Sequence, residues 1–114
     1  MNRIRSVGYA FKGLYVLLKT EASIKIQFFI ALFMAGLGFY LEISAVEWML
    51  QLLAVGMVMG VEGVNTAIEK LADYVQPAKD PKIGLLKDIS AGAVMIVSMV
   101  ACIVGLIIYV PKFV

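Results

Sequence analysis

The run ISAGAVMIVSMVACIVGLIIYVP, residues 89–111, carries no charged side chain between Asp88 and Lys112. It exceeds the roughly 20 apolar residues that a helix needs to cross the hydrocarbon core of a bilayer. A second charge-free run, residues 26–41, lies between Lys25 and Glu42. A third starts near Ala45, is uncharged over residues 48–61, and continues through Glu62 and Glu69 with no proline before Pro77. We read these as three membrane spans, at about residues 24–42, 45–75 and 84–110, in a single membrane-embedded unit covering residues 1–114.

Composition points the same way. The chain has 114 residues, 62% of them hydrophobic, and a mean hydropathy of +0.96. Soluble domains carry roughly 45–50% apolar residues, and a chain this short cannot bury the excess. The net charge of +2 is too small to suggest a nucleic-acid partner. With one cysteine, Cys102, no intrachain disulfide can form, and we expect it to be inert packing. The chain has no histidine, so any chemistry must rest on carboxylates, amines, amides and hydroxyls.

The first twenty residues follow another pattern. Ile4, Val7, Phe11, Leu14 and Leu18 recur at helical spacing, while Arg5, Lys12 and Lys19 form a separate stripe. This predicts an amphipathic helix over residues 1–20 lying on the membrane surface, its lysines toward lipid phosphates. Lys12 and Lys19 also rule out the apolar core of a signal peptide. The fold class expected is therefore an all-α membrane protein with one surface helix and three transmembrane helices. Arg3, Arg5, Lys12, Lys19 and Lys25 precede the first span, and Lys70, Lys79, Lys82 and Lys87 lie between the second and third. The turn over residues 42–47 has no positive charge. Three crossings put both basic regions on one side, which should be cytoplasmic.

The candidate chemistry sits in Glu62-Gly-Val-Asn65-Thr-Ala-Ile-Glu69. On a helix, Glu62 and Glu69 fall about 20° apart with Asn65 between them, and Asp73 extends the stripe by one turn. Carboxylates at membrane depth are expensive to keep and mark functional sites by default. The residues alone leave three uses open: catalysis, proton or cation relay in a small transporter, and helix assembly through ion pairs with Lys25, Lys70 or Lys87. Lys70 adjoins Glu69 but points to another face. A second cluster, Lys87-Asp88-Ile-Ser90-Ala91-Gly-Ala, opens the third span, where Asp88 or Ser90 could simply cap the helix. Glu21, between Lys19 and Lys25, could simply be solvated. Gly56, Gly60 and Gly63 form a small-residue ridge suited to helix packing, and Trp48, Tyr40 and Tyr109 fit an interfacial aromatic belt. No Walker, kinase glycine-loop or Rossmann pattern occurs.

The motif Glu62-x-x-Asn65-Thr-Ala-Ile-Glu69, followed by Lys87-Asp88-x-x-Ala-Gly-Ala-Val, resembles the prokaryotic diacylglycerol kinase family, which includes the undecaprenol kinases. Gly8-Tyr9-Ala-Phe11-Lys12-Gly13-Leu14 and Glu21-Ala22 are similar to the family's opening segment. The resemblance implies a multi-pass protein of the bacterial inner membrane, assembled as a homotrimer with active sites shared between subunits. It implies transfer of the ATP γ-phosphate to the hydroxyl of a membrane lipid alcohol. In that reading Glu62 is the general base, and Glu21 and Glu69 hold Mg²⁺. Tyr9, Arg3, Lys87 and Asp88, with Glu21 and Glu69, contact ATP. Asn65, Asp73 and Lys12 support the polar network, and Phe11 and Ala91, with Glu62, meet the lipid. The loop over residues 76–84 lacks the histidine of some members, and Leu86 stands where an alanine often precedes the Lys-Asp pair. The acceptor is expected to be diacylglycerol or undecaprenol. The ending Gly105-Leu-Ile-Ile-Tyr-Val-Pro-Lys is more similar to the undecaprenol type.

Overall fold

The computed structural model describes residues 3–114, and its elements there are four α-helices. They are α1 (Arg3–Thr20), α2 (Ala22–Tyr40), α3 (Ala45–Val75) and α4 (Pro81–Phe113). Positions 1 and 2 of the expected surface helix and of the 1–114 unit lie outside the described residues. Helices α2, α3 and α4 are each long and apolar enough to cross a membrane. The middle one has the bounds expected from sequence. The first begins and ends slightly earlier than 24–42, and the third overruns 84–110 at both ends.

Local chemistry explains these limits. Helix α2 stops because Glu42 adopts a left-handed conformation, φ 53°. Glu42 N–H then donates to Phe39 O (3.3 Å) and Ile43 N–H to Gly38 O (3.1 Å), the paired bonds of a Schellman turn. Helix α3 starts in a reciprocal box. Ser44 Oγ accepts from Glu47 N–H at 3.1 Å, and Ser44 N–H donates to Glu47 Oε1 at 2.9 Å. Helix α4 starts early because Asp80 Oδ1 accepts from the N–H groups of Lys82 (2.8 Å) and Ile83 (3.4 Å). Pro81 follows, at a position with no donor to lose. Asp88 and Ser90 therefore lie two turns inside α4, and the reading of either as its cap is incorrect.

Helices α3 and α4 form the most extensive contact, α2 packs on α3, and α1 on α2. At about 1.5 Å per residue α3 is about 46 Å long, close to the 51 Å greatest extent of the molecule. It overshoots the roughly 30 Å hydrocarbon core, so one end must stand among headgroups. The core lies at the hairpin end, where Ile43, Ile108 and Tyr109 are buried against Leu37 and Val104. There Trp48 packs on Phe39, ring centroids 4.8 Å apart. A Cβ on Gly38 would stand 2.9 Å from Trp48, so only glycine admits the indole there.

Tyr109 corrects the aromatic-belt expectation. It is 6% exposed, and its hydroxyl lies 2.5 Å from Gln51 Oε1 and 3.1 Å from Met34 O. Gln51 Nε2 donates to the same carbonyl at 3.3 Å. One buried polar knot thus ties α2, α3 and α4. Beside it Lys112 Nζ pairs with Glu47 Oε2 at 3.0 Å. The glycine ridge is used within the chain at Gly63 alone, where a Cβ would lie 3.1 Å from Leu17; Gly56 and Gly60 face open space. Cys102 is exposed rather than packed inside the chain.

Candidate active site

The polar stripe of α3 lies at the end opposite that knot. If Trp48 marks one interface, a roughly 30 Å core spans about twenty helical residues and ends near Ile68. Glu62 then sits within the core, about 9 Å short of the boundary, while Glu69 and Asp73 sit at headgroup level. Along the stripe Glu62 is half-buried, Asn65 buried, and Glu69 and Asp73 exposed.

Asn65 Oδ1 is buried with no hydrogen-bond partner among the described residues. Buried polar atoms are nearly always satisfied, and the described residues supply no donor to this oxygen. Gln27 Oε1 on α2 is in the same condition. Gln27 lines a cleft of about 200 Å³ with Val58 and Ser98, one turn deeper than Glu62. Sequence reasoning missed Gln27, although a lone amide between Lys25 and a long apolar run was a visible signal.

The assembly reading expected Glu62 and Glu69 to pair with lysines. Among the described residues neither does. Lys87 on α4 instead forms its ion pair with Asp73. Both line a cleft of about 640 Å³ with Gln76, Lys79, Asp80 and Gly84, formed where Pro77 and Asp80 turn the chain from α3 into α4. Residues of the 76–84 loop thus form one wall of an open cleft that also carries Asp73 and Lys87. Asp88, the next residue, is exposed.

The remaining sequence-derived residues are spread over the same end. Glu21 is half-buried at the N-cap position of α2 and makes no side-chain capping bond. Tyr9 and Lys12 line a different cleft, between α1 and α3, with Gly63 and Lys70. Phe11 and Tyr9 are exposed, as is Arg3. Ala91 lines an apolar cleft along α4 with Met95 and Ser98. No hydrogen bond or ion pair between described residues joins Arg3, Tyr9, Glu21 or Asp88 to the α3 stripe. One chain brings together Asp73 and Lys87 and aligns Glu62, Asn65 and Glu69, but leaves the other groups apart.

The donor set bears on metal binding. Among the described residues no three Asp, Glu, His or Cys side chains converge as a metal cage. Glu21 and Glu69 are single hard-oxygen donors. Such carboxylates fit Mg²⁺, which is held through one or two of them plus phosphates and water. The arrangement suits an ion that arrives with a nucleotide.

Comparison with known proteins follows this geometry. Residues 8–109 match the family model described as prokaryotic diacylglycerol kinase. An undecaprenol kinase of Bacillus subtilis (strain 168) is 34% identical over 113 residues, 98% of this chain and 92% of the relative. A diacylglycerol kinase of Haemophilus influenzae is 30% identical over 104 residues, 91% of this chain and 86% of the relative. A diacylglycerol kinase of Escherichia coli is 31% identical over 100 residues, 88% of this chain and 82% of the relative.

Proposed function

The chain belongs to the prokaryotic diacylglycerol kinase family, and from that premise we propose that it is a Mg²⁺-dependent lipid kinase transferring the ATP γ-phosphate to a membrane lipid alcohol. The observation that carries this reading is the straddled boundary. The helix that keeps Glu62 within the hydrocarbon depth delivers Glu69 and Asp73 to the headgroups, with Lys87 beside Asp73 in an open cleft. A lipid hydroxyl can reach the first without leaving the bilayer, and a water-soluble nucleotide can reach the second.

Phosphoryl transfer asks the protein mainly for positioning and charge neutralisation. Glu62 accepts the proton of the lipid hydroxyl as its oxygen bonds to the γ-phosphorus and the bond to the β–γ bridging oxygen breaks, releasing ADP. Tyr9, Arg3, Lys87 and Asp88 hold the nucleotide. Glu21 and Glu69 would hold Mg²⁺, which would supply positive charge against the phosphates. Asn65, Asp73 and Lys12 support these groups, and Phe11 and Ala91 contact the lipid. Asn65 Oδ1 awaits a donor, and Tyr9 lines a different cleft from Lys87. Both facts favour a site completed by a neighbouring subunit, in a homotrimer. The basic end, including the N-terminus and residues 70–88, faces the cytoplasm across the bacterial inner membrane. The acceptor we favour is undecaprenol, since the Bacillus relative aligns with nearly the whole chain. Proton-coupled transport through the same acids gains no support from the family match.

The test replaces Glu62 with Gln, which keeps shape and hydrogen bonding but removes the base. Purified protein is supplied with Mg·ATP and either undecaprenol or diacylglycerol in micelles. Glu62→Gln should lower turnover by at least about a hundredfold, in the range of general-base loss, and still bind Mg·ATP. Wild-type turnover in that variant would remove Glu62 from the mechanism. Faster turnover of diacylglycerol by the wild type would reverse the acceptor assignment.

A further inference from the structure

The cleft that carries Asp73 and Lys87 extends beyond that ion pair toward water. Helix α3 ends at Val75, and Gln76 N–H closes its last turn on Ala72 O at 2.9 Å. Gln76 therefore stands three residues past Asp73, about 4.5 Å further along the helix axis. Pro77, Ala78, Pro81 and Ile83 add apolar surface to the same cleft. Its volume of about 640 Å³ falls within the roughly 300–1,000 Å³ of small-molecule pockets, which are mostly apolar with a few polar groups that fix orientation.

The other polar side chains of that lining are charged or committed. Asp73 and Lys87 pair with each other. Asp80 Oδ1 accepts from the N–H groups of Lys82 and Ile83 at the start of α4. Lys79 is an exposed point charge, with donors but no acceptor. Gln76 is half-buried, and among the described residues its amide has no hydrogen-bond partner.

An amide sets a donor beside an acceptor. That pair complements the major-groove edge of adenine, where the 6-amino group donates beside the acceptor at ring nitrogen 7. On the same edge guanine shows two acceptors, so half of the amide stays unmatched. This is also the edge that an anti nucleotide turns toward its own phosphates. We infer that Gln76 selects the base, its amide bridging the 6-amino group and ring nitrogen 7 of adenine. The inference deepens the kinase reading and rests on it: Lys87 takes the phosphates, and Gln76, one turn outward, takes the base.

The experiment is equilibrium dialysis of the full chain in micelles, without acceptor lipid, against the Mg²⁺ complexes of ATP, GTP and 7-deaza-ATP. The last keeps the amino group and lacks the acceptor at position 7. Wild type should bind ATP about fivefold more tightly than either analogue, the low end of a bidentate amide–adenine pair. Gln76→Leu keeps the backbone bond to Ala72 and should bind all three alike. Gln76→Arg places two donors against the two acceptors of guanine and should turn the preference to GTP, which no loss of folding could produce. Lys79→Gln, in the same cleft, should change the three affinities by one factor and leave their ratios intact. Equal binding of the three by wild type would overturn the inference. So would an ATP preference that survives Gln76→Leu or disappears in Lys79→Gln. Selective binding of ATP without phosphoryl transfer to any lipid alcohol would sink the kinase reading alone; turnover with no base preference would sink this inference alone.

Discussion

Removing the hydroxyl of Tyr109 should destabilise the helix bundle more than removing the whole amide of Gln51, although the amide is the larger polar group. In Tyr109→Phe, Gln51 Oε1 loses its 2.5 Å partner in a buried position, while Gln51 Nε2 keeps Met34 O at 3.3 Å. An orphaned buried acceptor costs about 1–3 kcal/mol. Interhelical hydrogen bonds in membranes average about 0.6 kcal/mol and reach about 1.7. The upper part of that range applies here, because the variant leaves an acceptor bare; we expect about 1.5 kcal/mol, or tenfold in the unfolding equilibrium. In Gln51→Leu the Tyr109 hydroxyl can still donate to Met34 O at 3.1 Å, and nothing buried is left without a partner. Its cost should stay near 0.6 kcal/mol. The double variant should cost less than the two single losses together, since the atom stranded by Tyr109→Phe is gone. The assay is reversible unfolding in mixed micelles of dodecyl sulfate and a mild detergent. It is followed by fluorescence of Trp48, the single tryptophan, which borders the same core. A larger loss for Gln51→Leu, or additive losses, would refute the assignment of donor and acceptor in this knot.

Two further perturbations test the hairpin that feeds this core. Gly38→Ala places a methyl 2.9 Å from Trp48 and 3.0 Å from Ile43; it should cost about 1–3 kcal/mol and shift the Trp48 emission, measured in the same titration. Glu42→Gly relieves a left-handed conformation at φ 53° and should stabilise the protein by up to about 1 kcal/mol, with an unchanged emission maximum.

The spans and the acidic stripe were legible because each rests on a single helix. Charge-free length declares a crossing, and a seven-residue spacing declares a shared face whatever the rest of the chain does. The start of α4 was also written locally, in Asp80-Pro81, as was the start of α3 in Ser44-x-x-Glu47. At α4 the Asp80-Pro81 signal outweighs Asp88, which lies two turns inside the helix. Tyr109 is a different case. A tyrosine near a helix end normally serves the interface, and its partner lies 58 positions away. Only the packing of α3 against α4 creates that hydrogen bond. Gln51, polar amid an apolar run, was the one local hint that something in the bilayer must answer it. The partners of Glu21 and Tyr9 were illegible for another reason: within one chain they do not meet the α3 stripe.

The two ends of the molecule divide stability from chemistry. At the hairpin end, polar atoms that enter the bilayer are answered within the chain: Gln51 by Tyr109 and Met34, Glu47 by Ser44 and Lys112. At the loop end, among the described residues, Asn65 Oδ1 has no hydrogen-bond partner, Glu62 and Glu69 have no ion pair, and Asp73–Lys87 lies open to the cleft. A bundle held only at the loop end would have to break its own bonds to admit substrate. Held at the hairpin end, it can leave that region weakly bonded, where local opening costs least. This separation also fixes where substitutions should be felt. Changes at Tyr109, Gln51 or Gly38 should alter the unfolding midpoint at unchanged turnover per folded molecule. Changes at Glu62 or Lys87 should do the reverse, because the knot contains none of the groups that would touch substrate.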